Sequence, residues 1–219
     1  MNNLKVVSQP DAKFAKILRV SYPKGSASPT VAKRYGTPIG GAQFEADLGL
    51  SPRGCLHLRY YMRFPESFPF MRGGKLPGLF GGEARAGGQI PDGTDGFSTR
   101  LMWRRNGDGE VYAYLPTSVE HGTSLGRGKW RFQEGKWHLV EQEVKLNTPG
   151  KPDGSIRLWI DEKLVVQELN LTFRTTPELK IEGIFFSTFF GGSDLSWATP
   201  KETQVDFAHF VVSETYIGP

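Results

Sequence analysis

Apolar and polar residues alternate along much of this chain, in short runs bounded by glycine and proline. In residues 56–64 every second position is apolar: Leu56, Leu58, Tyr60, Met62 and Phe64. Because successive side chains of a strand point to opposite faces, this period of two predicts a half-buried β-strand. Residues 137–146, 155–161, 183–190 and 204–212 follow a similar pattern and are rich in β-branched and aromatic side chains. No segment has the pattern of a long amphipathic helix.

Turn signals separate these runs. Glycine and proline cluster at residues 22–25, 36–41, 73–88, 106–109 and 147–154. Short strands separated by turns about every ten residues are typical of a two-sheet sandwich. We therefore predict an all-β fold, a β-jelly roll sandwich of two antiparallel sheets with a concave groove on one sheet. Because no repeat or linker divides the chain, residues 1–219 are expected to form a single domain.

The composition supports this prediction and limits the classes of molecule that the protein is expected to bind. The chain has 27 glycines and 15 prolines among 219 residues, which favours strands and turns over helices. Its formal charge of +4 is compatible with an anionic partner. No tract of five like charges and no basic helix is present, so nucleic-acid binding is not expected. No apolar run approaches the ~18 residues of a membrane span, and no membrane partner is expected.

The residues that could hold a metal or form a disulfide are few. Cys55 is the only cysteine, which excludes an intrachain disulfide and a cysteine-cluster metal site. The four histidines have no spacing typical of zinc ligands. Asp206 with nearby carbonyl oxygens is the one candidate for a structural calcium ion. No cofactor is expected to be required.

Residues 97–115 predict a hairpin with polar, potentially catalytic side chains on one face. Asn-Gly and Asp-Gly at 106–109 join two alternating runs, which is a strong hairpin signal. Pairing the two strands can bring Ser98, Arg100, Tyr112 and Tyr114 to a common surface, although a one-residue slip in register would separate them. From this segment alone, a ladder of ordinary surface side chains explains the pattern equally well.

Upstream of the hairpin, residues 72–82 place Lys75 in a glycine-rich segment that also contains Pro77. Glycine permits unusual backbone angles and the close approach of a ligand. The spacing is not that of a phosphate-binding P-loop, and no helix follows. We expect a long loop with a functional role.

Three motifs together resemble a known family. Residues 74–79 (GKLPGL), Ser98-x-Arg100 and Tyr112-x-Tyr114 are similar to the core of polysaccharide lyase family 14, which includes alginate and glucuronate-polymer lyases. The glucuronan lyases of family 20 are similar in architecture.

This resemblance extends over roughly residues 72–116, by the motif spacing just described. It implies a β-jelly roll that cleaves an anionic polysaccharide. It also implies that five residues occupy active-site positions: Lys75, Ser98, Arg100, Tyr112 and Tyr114.

The chemistry of polyuronate cleavage is consistent with this set. A lyase removes the C5 proton, which lies next to a carboxylate, and expels the 4-linked sugar by β-elimination. Cations must stabilise the enolate-like state. Arg100 can grip the carboxylate in bidentate fashion, Lys75 can add a point charge, and Ser98 can orient the substrate.

A tyrosine is the expected base and acid. In β-linked mannuronate or glucuronate both proton transfers occur on one side of the ring, so one tyrosine can serve both. Its pKa, near ~10 in water, must be lowered, and the neighbouring lysine and arginine charges act in that direction. Activity is therefore expected to rise above neutral pH. Tyr112 and Tyr114 are equal candidates.

Further contacts and properties complete these expectations. Substrate-binding roles are expected for four residues: Gln43, Arg59, His121 and Trp197. The enzyme is expected to be a monomer that acts outside the cell. The start of the chain has no pattern typical of a signal peptide.

The sequence is also compatible with two other classes of function. Sandwich-fold glycoside hydrolases use two carboxylates, and the alternating pairs Glu141 with Glu143 and Glu45 with Asp47 are the candidates. A non-catalytic carbohydrate-binding module would have the same composition and the same aromatic and basic groove.

Overall fold

The computed structural model describes residues 3–8, 13–49, 51 and 53–219, and thirteen strands and one α-helix lie within them. The helix is α1 (Pro29–Tyr35). The strands are β1 (Leu4–Ser8), β2 (Lys16–Tyr22), β3 (Ala42–Asp47), β4 (Cys55–Arg63), β5 (Gly73–Gly82), β6 (Gly96–Arg104), β7 (Gly109–Tyr114), β8 (Thr123–Leu125), β9 (Trp137–Lys145), β10 (Gly154–Ile160), β11 (Lys163–Leu171), β12 (Gly183–Thr188) and β13 (Thr203–Ser213).

The strands form two antiparallel sheets. The seven-stranded sheet has the order β1-β2-β13-β4-β9-β10-β11, and the six-stranded sheet has the order β3-β12-β5-β6-β7-β8. Neighbours such as β2 and β13 are far apart in sequence, so the chain crosses repeatedly between the sheets. The predicted all-β sandwich of jelly-roll type is confirmed.

The hydrophobic core lies between the sheets and follows the predicted alternation. The apolar positions of residues 56–64 are all at most 3% exposed and belong to this core. From the six-stranded sheet, Phe97, Leu101 and Trp103 of β6 reach the same core. Because alternate residues of β6 fill the core, the residues between them must lie on the other face of this sheet.

Among the described residues, one short α-helix interrupts the strands. The Ser28 side chain accepts a hydrogen bond from the Val31 backbone N–H at 3.3 Å, which caps the start of α1. Gly36, with φ of 65°, ends the helix. The helix has seven residues, which is too short to produce a clear periodic pattern. Among the described residues, no helix has the length and apolar character needed to cross a membrane.

The glycine-rich segment is a strand, and the expectation of a loop is wrong. β5 lies inside the six-stranded sheet, between β12 and β6. A Cβ atom on Gly74 would lie 2.0 Å from the Trp103 ring, and one on Gly81 would lie 1.8 Å from the Lys180 carbonyl oxygen. The glycines are therefore required by close packing. Pro77, which has no N–H to donate, lies in a β-bulge where the register with β6 shifts.

Candidate active site

The β6–β7 hairpin has the register that brings the predicted residues together. Ser98 lies opposite Tyr114, and Arg100 lies opposite Tyr112. The pair between them, Thr99 and Ala113, belongs to the core-facing set. The four chemistry-bearing side chains therefore share the outer face of the six-stranded sheet, as predicted.

Lys75 joins this group from β5. It pairs in register with Met102, whose Sδ atom lies 2.8 Å from the lysine Nζ. The same Nζ lies 3.5 Å from the centroid of the Tyr112 ring. Burial, together with the positive charges of Arg100 and Arg104, holds the pKa of Lys75 well below its usual value. This shift favours the neutral amine over the ammonium ion.

Two loops hold the tyrosines in place. Their rings lie 5.7 Å apart at an angle of 82°. Tyr114 is 2% exposed, and its hydroxyl accepts a hydrogen bond from the Gly88 backbone N–H at 3.0 Å. A Cβ atom on Gly122 would lie 2.8 Å from the Tyr114 ring and 2.9 Å from the Tyr112 ring. Tyr112 is only partly buried, so its ring is the more accessible of the two.

The pKa of Tyr112 shifts in the direction opposite to the one expected from sequence. Burial raises it to about 12, and the charge and hydrogen bond of Tyr114 act in the same direction. Arg104 and the Gly122 backbone lower this pKa, but by less. Tyr112 therefore stays protonated near neutral pH in the substrate-free protein.

Arg100 lies deeper than the sequence suggests. It is 1% exposed, and burial lowers its pKa to about 10. Its Nη1 donates to Ser187 Oγ at 3.0 Å, and the guanidinium lies 4.6 Å from the Phe185 ring. Ser187 in turn donates to Gln43 Oε1 at 3.2 Å, so Gln43 reaches the site through a hydrogen-bond chain. This burial does not favour the expected bidentate grip on substrate, since the guanidinium lies beneath the face.

Ser98 also has a different role from the expected one. Its side chain is fully buried, and Oγ donates to the Arg85 carbonyl oxygen at 2.6 Å. This bond ties β6 to the loop of residues 83–95, the loop that also contains Gly88. Ser98 therefore positions the loop against Tyr114, and it is not exposed to orient a sugar.

Two of the expected substrate contacts border this face. His121 is exposed and lies next to Gly122, in the loop that covers the tyrosines. Trp197 is partly buried, and its ring lies 4.8 Å from the Arg72 guanidinium and 5.9 Å from the Arg104 guanidinium. Both residues are therefore close enough to the group to contact a bound chain.

Arg59 does not belong to the site, and that expectation is wrong. It lies on β4 of the seven-stranded sheet, 6% exposed. Its Nη1 donates to the Gly218 carbonyl oxygen at 2.6 Å. The sequence correctly predicts that Arg59 points away from the core, but the alternation alone does not say which sheet contains the strand.

Sequence reasoning missed Arg104 and Glu110, which share the face with Lys75 and Tyr112. Glu110 is fully buried, and its Oε1 accepts hydrogen bonds from Arg104 Nε at 2.9 Å and Nη2 at 2.6 Å. Its Oε2 accepts one from Ser124 at 2.9 Å. The Arg104 guanidinium lies 5.9 Å from the Tyr112 ring centroid. The strand alternation contained this signal, since residues 100, 102 and 104 share one face of β6.

The first carboxylate pair of the hydrolase alternative, Glu141 and Glu143, forms hydrogen bonds on the seven-stranded sheet. Glu141 accepts backbone N–H bonds from Ile217 at 2.9 Å and Gly218 at 3.0 Å, on the seven-stranded sheet. Glu143 accepts from Arg157 Nη1 at 2.7 Å. These acids hold other parts of the chain in place, and they do not face a groove together as a hydrolase pair would.

The second pair, Glu45 and Asp47, lies exposed on β3, the edge strand of the six-stranded sheet. Asp47 Oδ1 accepts the Gly49 backbone N–H at 2.8 Å. Neither carboxylate is buried next to the group around Lys75, so this pair has the surroundings of a solvated surface.

The surroundings of Asp206 do not favour the calcium ion expected there. Its Oδ1 accepts from Arg19 Nε at 2.8 Å, and its Oδ2 accepts from Arg63 Nη2 at 2.9 Å. Two guanidinium groups therefore occupy both carboxylate oxygens and supply the positive charge that a metal would bring. Within the part of the chain that the structure describes, no three His, Cys, Asp or Glu side chains form a group that could hold a metal ion.

Comparison with known proteins identifies the class of protein to which this fold and this site belong. Residues 10–210 match the family described as polysaccharide lyase 14. The chain belongs to this family, and it is a polysaccharide lyase. The resemblance drawn from the three sequence motifs is confirmed. No curated protein sequence matches the chain significantly.

Solved structures agree with this assignment. A marine family 14 alginate lyase from Aplysia kurodai has 34% identity and a TM-score of 0.84, covering 100% of this chain and 88% of that one. An alginate lyase from a Chlorella virus has 25% identity and a TM-score of 0.80, covering 95% of this chain and 88% of that one. An endo-β-1,4-glucuronan lyase from Trichoderma reesei shares the fold, at 15% identity and a TM-score of 0.63, covering 97% of this chain and 87% of that one.

Proposed function

We propose that this lyase cleaves a 1,4-linked polyuronate of mannuronate or glucuronate type by β-elimination, leaving a 4,5-unsaturated uronate at the new end. One observation carries the proposal: an amine and a phenol, Lys75 and Tyr112, lie in contact on a face that also contains two arginines. Alginate is the substrate named for two similar structures and glucuronan for a third, which supports an acidic polysaccharide as the substrate.

The opposite pKa shifts of these two groups support one assignment of the acid and the base. When the environment separates two pKa values, the group with the lowered one serves as base and the group with the raised one as acid. The lowered pKa of Lys75 provides a neutral amine that can take the C5 proton. The pKa of about 12 keeps Tyr112 protonated, so it can protonate the leaving oxygen. This assignment replaces the tyrosine base expected from sequence.

The electron and proton movements then balance. The C5–H electron pair forms the C4–C5 double bond, the C4–O bond breaks, and the departing oxygen takes the Tyr112 proton. Lys75 becomes an ammonium ion beside the carboxylate that carries the developing charge. Arg100 and Arg104 stabilise this charge from fixed positions, which is how preorganised groups contribute most.

Two further expectations follow from the proposal. A polyuronate chain does not cross a membrane unaided, so we expect the enzyme to meet its substrate outside the cell. The monomeric state stays a prediction.

The test is to incubate the purified protein with mannuronate-rich, guluronate-rich and glucuronate polymers and to follow the ultraviolet absorbance of unsaturated uronate. New absorbance with the mannuronate or glucuronate polymer supports the proposal. New reducing ends without absorbance would mean hydrolysis, and binding without cleavage would mean a carbohydrate-binding module. Either of those results contradicts elimination.

A further inference from the structure

A second feature lies next to the active face and has no part in the chemistry above. It is an open cavity of about 620 Å³ whose lining includes Arg72, Arg105, Asn106, Glu134 and Ser196. Phe68 and Phe70 form the apolar part of its wall. Both phenylalanines are almost fully buried in the core, so the accessible lining consists mainly of two cations and several hydrogen-bonding groups, which can bind an acidic sugar.

The cavity is connected to the catalytic group through Trp197. Arg72 lines the cavity, and its guanidinium also lies 4.8 Å from the Trp197 ring. The Arg104 guanidinium lies 5.9 Å from this ring and 5.9 Å from the ring of Tyr112. The Trp197 ring is therefore near one arginine of each place, Arg104 beside Tyr112 and Arg72 in the cavity.

The charges of the cavity favour a carboxylate. Arg105 has no carboxylate within salt-bridge distance among the described residues. Arg72 donates to Ser196 Oγ at 2.6 Å, and its nearest acid, Asp194, is 3.8 Å away. Arg105 is thus available to a uronate, which it can bind through charge-assisted hydrogen bonds, while Arg72 is held by Ser196 and Asp194 and adds its positive charge.

Glu134 is the one acid in this lining. Its Oε2 accepts the Ser67 backbone N–H at 2.6 Å, which fixes the carboxylate in place. A fixed carboxylate oxygen is a good acceptor for sugar hydroxyl groups. Asp194 offsets Arg72, so Arg105, which has no such partner among the described residues, is the cation that favours an anion here.

The backbone around the cavity is strained. Met71 and Asn106, which both line it, have positive φ values of 49° and 58°. Asparagine tolerates this left-handed region, but methionine rarely adopts it. Strained backbone of this kind is concentrated at binding and catalytic sites, where the surrounding structure maintains it.

We propose that this cavity is a distal subsite, which binds a further uronate unit of the same polysaccharide chain through Arg72 and Arg105. The inference rests on the proposed polyuronate lyase function. It predicts that the enzyme prefers long chains, because only a chain that extends beyond Trp197 gains these contacts.

The experiment compares kcat/KM on a long polyuronate with kcat/KM on the shortest oligouronate that the enzyme cleaves. In Arg105→Gln the long-to-short ratio should fall about fivefold, since one charge-assisted hydrogen bond is lost only for long chains. The double variant Arg72→Gln with Arg105→Gln should lower the ratio further. Arg34→Gln, an exposed position on α1, is the matched control and should leave the ratio unchanged.

Each outcome bears on the proposal. An unchanged ratio in both variants, or an equal fall in the Arg34 control, overturns the subsite while the lyase function stands. A native protein that forms no unsaturated uronate from any polymer overturns both the function and the subsite. The two failures are therefore distinguishable in one set of assays.

Discussion

The Lys75 amine nitrogen lies 3.5 Å from the centroid of the Tyr112 ring, although β6 separates the strands that carry these residues. Burial lowers the pKa of Lys75 and raises that of Tyr112 to about 12. Both shifts favour the neutral forms, a free amine and an intact phenol. In the proposed mechanism this contact pairs a base, Lys75, with an acid, Tyr112.

Lys75→Arg separates the role of base from the role of charge. Arginine keeps the positive charge but does not lose its proton in proteins. If Lys75 is the base, the rate of elimination should fall by ~10²–10⁴. The measurement is the initial rate of unsaturated uronate formation, with circular dichroism to show that the variant is folded. Lys33→Arg on α1 serves as control, and a Lys75→Arg enzyme near native activity would assign the lysine a purely electrostatic role.

The pH profile of the native enzyme tests the same pair. The base must be deprotonated, so kcat/KM should increase with pH as Lys75 loses its proton. Because the pKa of Lys75 is well below its usual 10.5, this increase should lie well below pH 10.5. The loss of the acid follows only near pH 12, where Tyr112 ionises. An acidic optimum, with activity that declines through neutral pH, is the opposite result.

Glu110 and Arg104 should shift this profile in opposite directions. Glu110 raises the pKa of Lys75 and Arg104 lowers it, while Arg100 and the two tyrosines are the other titratable groups around the amine. Glu110→Gln should therefore move the increase in kcat/KM to lower pH, and Arg104→Gln should move it to higher pH. Shifts of the same sign in both variants would contradict the electrostatic account. Glu110→Gln should also lower the free energy of unfolding by about 1–3 kcal/mol, because a buried charge-assisted bond is weakened.

The sequence alone predicts the outer face of the hairpin well. The alternation of β6 and β7 and the Asn-Gly and Asp-Gly turn define the register that places Arg100 opposite Tyr112. The same alternation identifies the apolar face of β4. These features are local, so a single sequence contains the signal.

How deeply a side chain is buried and which residues it contacts depend on long-range packing. The sequence therefore does not predict them. Ser98 is buried where it bonds the loop of residues 83–95, and Arg100 is buried against Ser187 and Phe185 of β12. That burial also reverses the expected pKa shift of Tyr112. Arg59 is misplaced for a related reason, since its alternation is correct but its sheet is set by long-range pairing.

The glycines of β5 provide a test of the fold. A Cβ atom on Gly78 would lie 2.2 Å from the Thr99 carbonyl oxygen and 2.6 Å from the Arg100 Cα. Gly78→Ala should therefore push β5 away from β6, lower the free energy of unfolding by about 1–3 kcal/mol and displace Lys75 from the hairpin. Thermal unfolding and elimination assays measure the two effects.

Gly54→Ala is the control for this substitution. No atom lies within 4 Å of a Cβ at that position, and its φ is not in the left-handed region. Its free energy of unfolding should stay within about 0.5 kcal/mol of the native value. Equal effects at Gly78 and Gly54 would mean that close packing does not explain the glycine-rich strand.

The most direct measurement is the rate at which native enzyme and Tyr112→Phe release unsaturated uronate from mannuronate and glucuronate polymers. Removal of one oxygen atom eliminates the acid and leaves the ring that packs against Lys75. We expect the native enzyme to form the product and the variant to be slower by ~10² or more. A variant as fast as the native enzyme would contradict the account of this site.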